Sequence, residues 1–261
     1  MRLSRSVPIV GSTLALLMTT ACATGGHSTV SAPTTSSPSG TQPFTVQIDA
    51  AAEQLARGVR VDLDEIVRRE LGSVAAALHS PRATVNLVIN PKAAIPEVGV
   101  GGFTNPATGL VTVSLDPQSR IGVAKTMRVW VPLTLAHELS HSTRVLNGPG
   151  YGTTLVETIV TEGLADQFSR SLHSDVPPIP WDDALTRRQE HDLWTAAQGE
   201  ATNLQIHGRW FFGTGDVPRW AGYTLGAHVV AAYRARNPRV AWADVTRLPA
   251  EQIVAASGYA P

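Results

Sequence analysis

The pentapeptide His137-Glu138-Leu139-Ser140-His141 constrains this chain more than any other feature, because its two histidines can act together only if the segment is helical. The flanks favour a helix. Pro132 suits a first helical position, and Asn147-Gly148-Pro149-Gly150 stops the run, so the pattern predicts a helix over 132–146. At 100° per residue, His137 and His141 lie about 40° apart on one face. Leu135, Leu139 and Leu146 gather on the opposite face, which makes that face the expected core side. The imidazoles then project together into a cleft, at the separation that two ligands of one zinc ion require. Glu138 falls between the two faces, beside the position of a metal-bound water.

An HExxH segment alone is short enough to arise by chance, so the reading needs a third ligand. Thr154-Leu155-Val156-Glu157 fits a capping box and starts a helix expected over 153–173. Leu155 and Ile159 mark one face of it, and Glu162 and Asp166 fall within about 40° of that face. Two carboxylates in an apolar stripe are costly unless something neutralises them. Zinc and its histidines would do so. Glu162 completes a His₂Glu ligand set with a fourth position left to water. Asp166, one turn later, is placed to accept a hydrogen bond from the far nitrogen of a ligand histidine. Glu157 points roughly the other way and reads as a capping or surface residue.

The rest of the folded part divides into strands first and helices afterwards, an α+β pattern. Strands are expected at Phe44 to Ile48, Thr84 to Ile89, Glu97 to Phe103 and Leu110 to Leu115. Asn105-Pro106-Ala107-Thr108-Gly109 should turn the last two into a hairpin. Helices are expected at Ala50 to Arg57, Leu63 to His79, 182–199 and 219–235, with a short pair near the end. Trp210, Phe211 and Phe212 read as core. His79, His173, His191 and His207 have no ligand spacing to one another and receive no role. Gly99-Val100-Gly101-Gly102 marks either a close backbone approach to substrate or a bulge.

With these residues in place, a family resemblance emerges. HELSH followed by Glu162-Gly163-Leu164-Ala165-Asp166 resembles the gluzincin metallopeptidases, whose plan is HExxH…ExxxD. More closely, TLAHELSHSTR with TEGLADQF is similar to a bacterial family of predicted, uncharacterised zinc-dependent proteases. Gly222-Tyr223-Thr224-Leu225-Gly226 matches a GYxxG segment of that family, and the resemblance spans roughly residues 83 to 235. It implies a zincin-like fold, with a small mixed sheet above the active-site helix and a mainly helical C-terminal part. It also implies one Zn²⁺ per chain, a peptide or protein substrate, and Glu138 as general base. Tyr223 and His228 become the candidates for stabilising the tetrahedral intermediate, and Leu110 to Leu115 the edge strand that pairs with extended substrate. A different class stays open beside it: a non-catalytic zinc-binding surface lipoprotein for metal capture or partner binding, although capture has no need of Glu138.

The N-terminus adds an address. Arg2 and Arg5 precede an apolar stretch from Val7 to Met18, and small residues lead to Cys22, the one cysteine of the chain. Residues 1–22 therefore resemble a bacterial lipoprotein signal with lipid attached at Cys22, and residues 23–43, which hold no Asp, Glu, Lys or Arg, read as a disordered tether to the domain at 44–261. The expectation is an exported, membrane-anchored protein facing the extracytoplasmic side. One cysteine allows no intrachain disulfide. Lys plus Arg equals Asp plus Glu at 21 each, and no basic stripe indicates nucleic acid. No GxSxG elbow, Walker loop or dinucleotide fingerprint is present.

Overall fold

The computed structural model describes residues 44–79 and 83–261. The expected export signal at 1–22, with Cys22, and the expected tether at 23–43 lie outside the described residues. No described helix is long and apolar enough to cross a membrane.

Strand β1 (Phe44–Ile48) leads into helices α1 (Ala50–Gly58) and α2 (Leu63–Leu78), followed by strands β2 (Ala83–Ile89), β3 (Val100–Thr104) and β4 (Val111–Leu115). Asp49 and Asp62 cap the two helices, their carboxylates accepting from the backbone N–H groups of Ala51 and Glu65. The sheet order is β1-β2-β4-β3, with β1, β2 and β4 parallel and β3 antiparallel to β4. The Asn105–Gly109 turn makes the expected hairpin, but its outer strand is β3. Leu110 to Leu115 was the expected edge; β4 instead lies between β2 and β3, and its Val111, Val113 and Leu115 are buried. A strand packed on both flanks has no free N–H or C=O row, so the free edge on this side of the sheet belongs to β3.

The helix that carries the HExxH segment begins earlier than its sequence suggests. A short helix α3 (Val123–Lys125) runs through a π-helical turn at Thr126–Trp130 into α4 (Val131–Asn147). Pro132 has no N–H to give, and the Val131 N–H bonds to the Thr126 carbonyl five residues back, widening the turn just ahead of the motif. Helix α4 packs against β3, β4 and α2, and α5 (Leu155–Leu172) packs against α4. Leu135 and Leu139 are buried as expected, whereas Leu146 is 40% exposed where the helix end leaves the core.

Helices α6 (Arg187–Ala197), α7 (Leu204–Phe212), α8 (Ala221–Arg236), α9 (Trp242–Val245) and α10 (Ala250–Ser257) complete the chain. Helix α6 starts five residues later than expected because Thr186 and Gln189 form a capping box there. Helix α7 was not expected at all. Helices α5 and α8 cross at Gly163 and Gly226, where a Cβ on Gly163 would sit 2.0 Å from the Gly226 carbonyl oxygen. That close crossing brings the first turn of α8, with Tyr223, over the carboxylate face of α5.

Arg144, buried in α4, fastens the helix to the C-terminal segment. Its guanidinium donates to the carbonyls of Thr246 and Leu248, both at 2.8 Å, and to the Thr161 hydroxyl at 3.1 Å. Burial lowers its pKa to about 10, against the pull of Glu157, so it stays charged at neutral pH.

Candidate metal centre

Helix geometry alone brings the first two ligands together. His137 Nε2 and His141 Nε2 are 3.0 Å apart, with the rings edge to face. From α5, Glu162 Oε2 lies 3.2 Å from each of them. These three side chains form a group able to hold a metal ion. Zinc–nitrogen and zinc–oxygen bonds of about 2.0–2.1 Å at tetrahedral angles put neighbouring ligand atoms about 3.3 Å apart, close to what the three atoms show.

The chemistry of the donors fits as well as their spacing. His137 Nδ1 lies 2.9 Å from Asp166 Oδ1, so the proton sits on Nδ1 and the lone pair of Nε2 faces the other ligands. Trp181 Nε1 in turn donates to Asp166 Oδ2 at 3.1 Å, fixing that carboxylate. The Nε2 atoms of two imidazoles and a carboxylate oxygen therefore converge in a buried space, an arrangement that a cation can satisfy. Asp166 and Glu162 are only 1% and 2% exposed. Burial works against a charged His137, yet the Asp166 hydrogen bond and the carboxylates around it raise its pKa well above the ordinary value. Burial likewise opposes ionised Glu162, and the two histidines nevertheless hold its pKa well below the carboxylate range. Both directions describe one site that is ready for a net positive charge.

Glu138 faces the same space from the other side. Its Oε2 accepts a 2.7 Å bond from the Thr104 hydroxyl on β3. Gly102, two residues earlier on that edge strand, is where the glycine run matters: a Cβ there would stand 2.3 Å from Glu138 Oε1. The run thus makes room for the glutamate, and at Gly101 for the Ala93 carbonyl, rather than forming a bulge.

Tyr151, on the loop after α4, received no role from the sequence. Its hydroxyl donates to Glu162 Oε1 at 2.5 Å and lies 3.3 Å from His141 Nε2. It occupies the second oxygen of Glu162 and leaves Oε2 to the histidines. Burial and the charges of Glu162 and Glu138 push its pKa well up.

Tyr223 and His228 part company in the structure. Tyr223 lines both cavities that open onto His137 and Glu138. His228 lines neither, and its Nδ1 lies 2.7 Å from Glu190 of α6. The two residues are five apart on α8, about 140° around the helix, so they cannot share a face. Two residues without an expected site role join the cleft instead: His207 and Phe212 of α7 line the larger cavity, and Phe212 is 44% exposed rather than core. Trp210 and Phe211 are buried as expected. The capping pair Asn203 and left-handed Gly213 bracket α7 and could have revealed it in the sequence.

A family model described as "Predicted Zn-dependent protease (DUF2268)" matches residues 63–255. No curated protein and no solved structure matches the chain.

Proposed function

The chain belongs to this family of predicted Zn-dependent proteases, and on that premise we propose that it hydrolyses peptide bonds at the His137–His141–Glu162 centre. The observation that carries the proposal is Glu138: it lines the same cavity as His137, His141 and Glu162, anchored by Thr104, although it is not one of the ligands. Metal capture has no use for a carboxylate held there. Zinc bound at this centre would polarise a substrate carbonyl and lower the pKa of water toward ~7.

The chain's own groups supply the remainder. Glu138 takes the proton of the attacking water and delivers it to the leaving nitrogen. Asp166 and Trp181 hold the His137 ring in one tautomer, and Tyr151 holds Glu162 to one oxygen. Tyr223 supplies a hydroxyl toward the carbonyl oxygen as it gains charge. Burial, followed by Glu162 and Asp166, raises the Tyr223 pKa well above its ordinary value, so the hydroxyl keeps its proton at neutral pH. Extended substrate would lie along β3, whose Gly102, Phe103 and Thr104 border the larger cavity. The N-terminal pattern of residues 1–43 supports export and a lipid anchor at Cys22, which would hold the enzyme on the outer side of the membrane.

Glu138→Gln tests the reading. Zinc content and fold should persist while peptide turnover falls by about 10²-fold or more. Equal turnover in the two proteins would contradict a role for Glu138 as the base.

A further inference from the structure

Two cavities meet at Glu138. They share His137, Glu138, Gly102, Phe212 and Tyr223, and they extend in different directions from them. The smaller measures about 100 Å³ and the larger about 510 Å³. A side chain entering the smaller one from a peptide held at the metal centre belongs to a residue beside the bond being cut, because consecutive residues are under 4 Å apart.

The walls of the smaller cavity state what it takes. Ile95, Val98 and Leu133 line it with the indoles of Trp130, Trp181 and Trp220. Its two carboxylates are already engaged, Glu138 by Thr104 and Asp166 by His137 and Trp181. No Lys or Arg lines either cavity among the described residues. Arg219, stacked on the Trp220 ring at 3.9 Å, is held by Glu97 at 2.6 Å. An acidic side chain or a terminal carboxylate would therefore enter with no cation to pair with and at most the indole N–H of Trp130 to donate to it, which is costly for a buried charge. Volume narrows the choice further. An apolar cavity of about 150 Å³ accommodates benzene, so about 100 Å³ suits an aliphatic side chain and excludes an indole.

We propose that the smaller cavity is the specificity pocket for one aliphatic side chain (Val, Leu, Ile or Met) next to the scissile bond, and that the enzyme cuts internal bonds of a peptide. This rests on the peptidase reading above. The larger cavity takes the continuing chain, and its rim carries Phe103, Leu204 and Phe212, three of the four exposed large apolar side chains among the described residues.

The test digests a peptide library, blocked at both ends, with the zinc-loaded protein and sequences the products by mass spectrometry. Cleavage should occur between internal residues, with an aliphatic residue at one fixed position beside the cut. Replacing that residue by Ala, Asp or Trp in a matched peptide should lower kcat/KM about 10- to 200-fold. Ile95→Ala removes a half-buried wall residue that is neither a metal ligand nor the proposed base. It should shift the Phe-to-Leu preference toward Phe by about tenfold while zinc content stays unchanged. Cleavage without side-chain preference, preference for a charged residue there, dependence on a free terminus, or an unaltered ratio in Ile95→Ala would overturn the pocket while leaving the peptidase intact. A zinc-loaded protein that cleaves nothing in the library would overturn both.

Discussion

Buried or half-buried histidine–carboxylate pairs occur in two kinds of place in this molecule, and they do different work. His137–Asp166 sits at 2.9 Å with the other ring nitrogen aimed at His141 and Glu162. His228–Glu190 sits at 2.7 Å, but Glu190 is also bonded by the Tyr259 hydroxyl and the pair joins α8 to α6 and the C-terminus. His173–Glu70, at 3.0 Å, joins the region after α5 to α2 in the same way. The hydrogen bond is similar in all three. What would let the first pair orient a metal ligand is the second nitrogen: among these three pairs, and among the described residues, it is His137 whose other nitrogen meets further potential ligand atoms. A carboxylate beside a histidine therefore identifies a ligand only when the opposite side of the ring has company.

Substitutions can break this contrast in order of size. Asp166→Asn should weaken zinc binding most, by about 10- to 100-fold, because the amide can present its N–H₂ to His137 and favour the wrong tautomer. Competition titration with a chelating dye measures it, and an unchanged affinity would make Asp166 merely a buried acid. Tyr151→Phe should have a smaller effect, about fivefold on zinc affinity, equivalent to one hydrogen bond of ~1 kcal/mol. If it matched Asp166→Asn, the tyrosine would be doing more than holding Glu162 Oε1. His228→Gln should leave zinc affinity and turnover unchanged and cost at most ~1 kcal/mol in denaturant unfolding, since the pair is more than a third exposed on the histidine side. Loss of turnover in that variant would return His228 to the site.

The parts of the centre that the sequence revealed are those fixed by helical periodicity. His137 and His141 meet because they are one turn apart. Glu162 and Asp166 stand out because acids in the stripe of Leu155 and Ile159 need a reason to be there. The same rule would have separated Tyr223 from His228, and the family resemblance drew both in together. Tyr151 carried no such signal. It lies in a Gly- and Pro-rich loop, and its approach to Glu162 depends on how α4 and α5 are joined and packed. The order of β3 and β4 was hidden for a related reason: a hairpin fixes which strands pair with each other, and the parallel partner β2 decides which of them becomes the edge. Helix α7 was obscured because Gly208 and the run Trp210-Phe211-Phe212 blur its apolar period, leaving only its two caps as markers. The succession of strands followed by helices was legible because most of those elements carry their own periodicity, whereas the small mixed sheet was what the family resemblance implied.

Elemental analysis of the purified protein tests most directly whether His137, His141 and Glu162 hold one zinc ion. Wild type, loaded with zinc and freed of excess by gel filtration, should carry about one zinc per chain, and His137→Ala should carry almost none under the same conditions. Wild type without stoichiometric zinc, or a His137→Ala variant with undiminished zinc, would contradict that assignment.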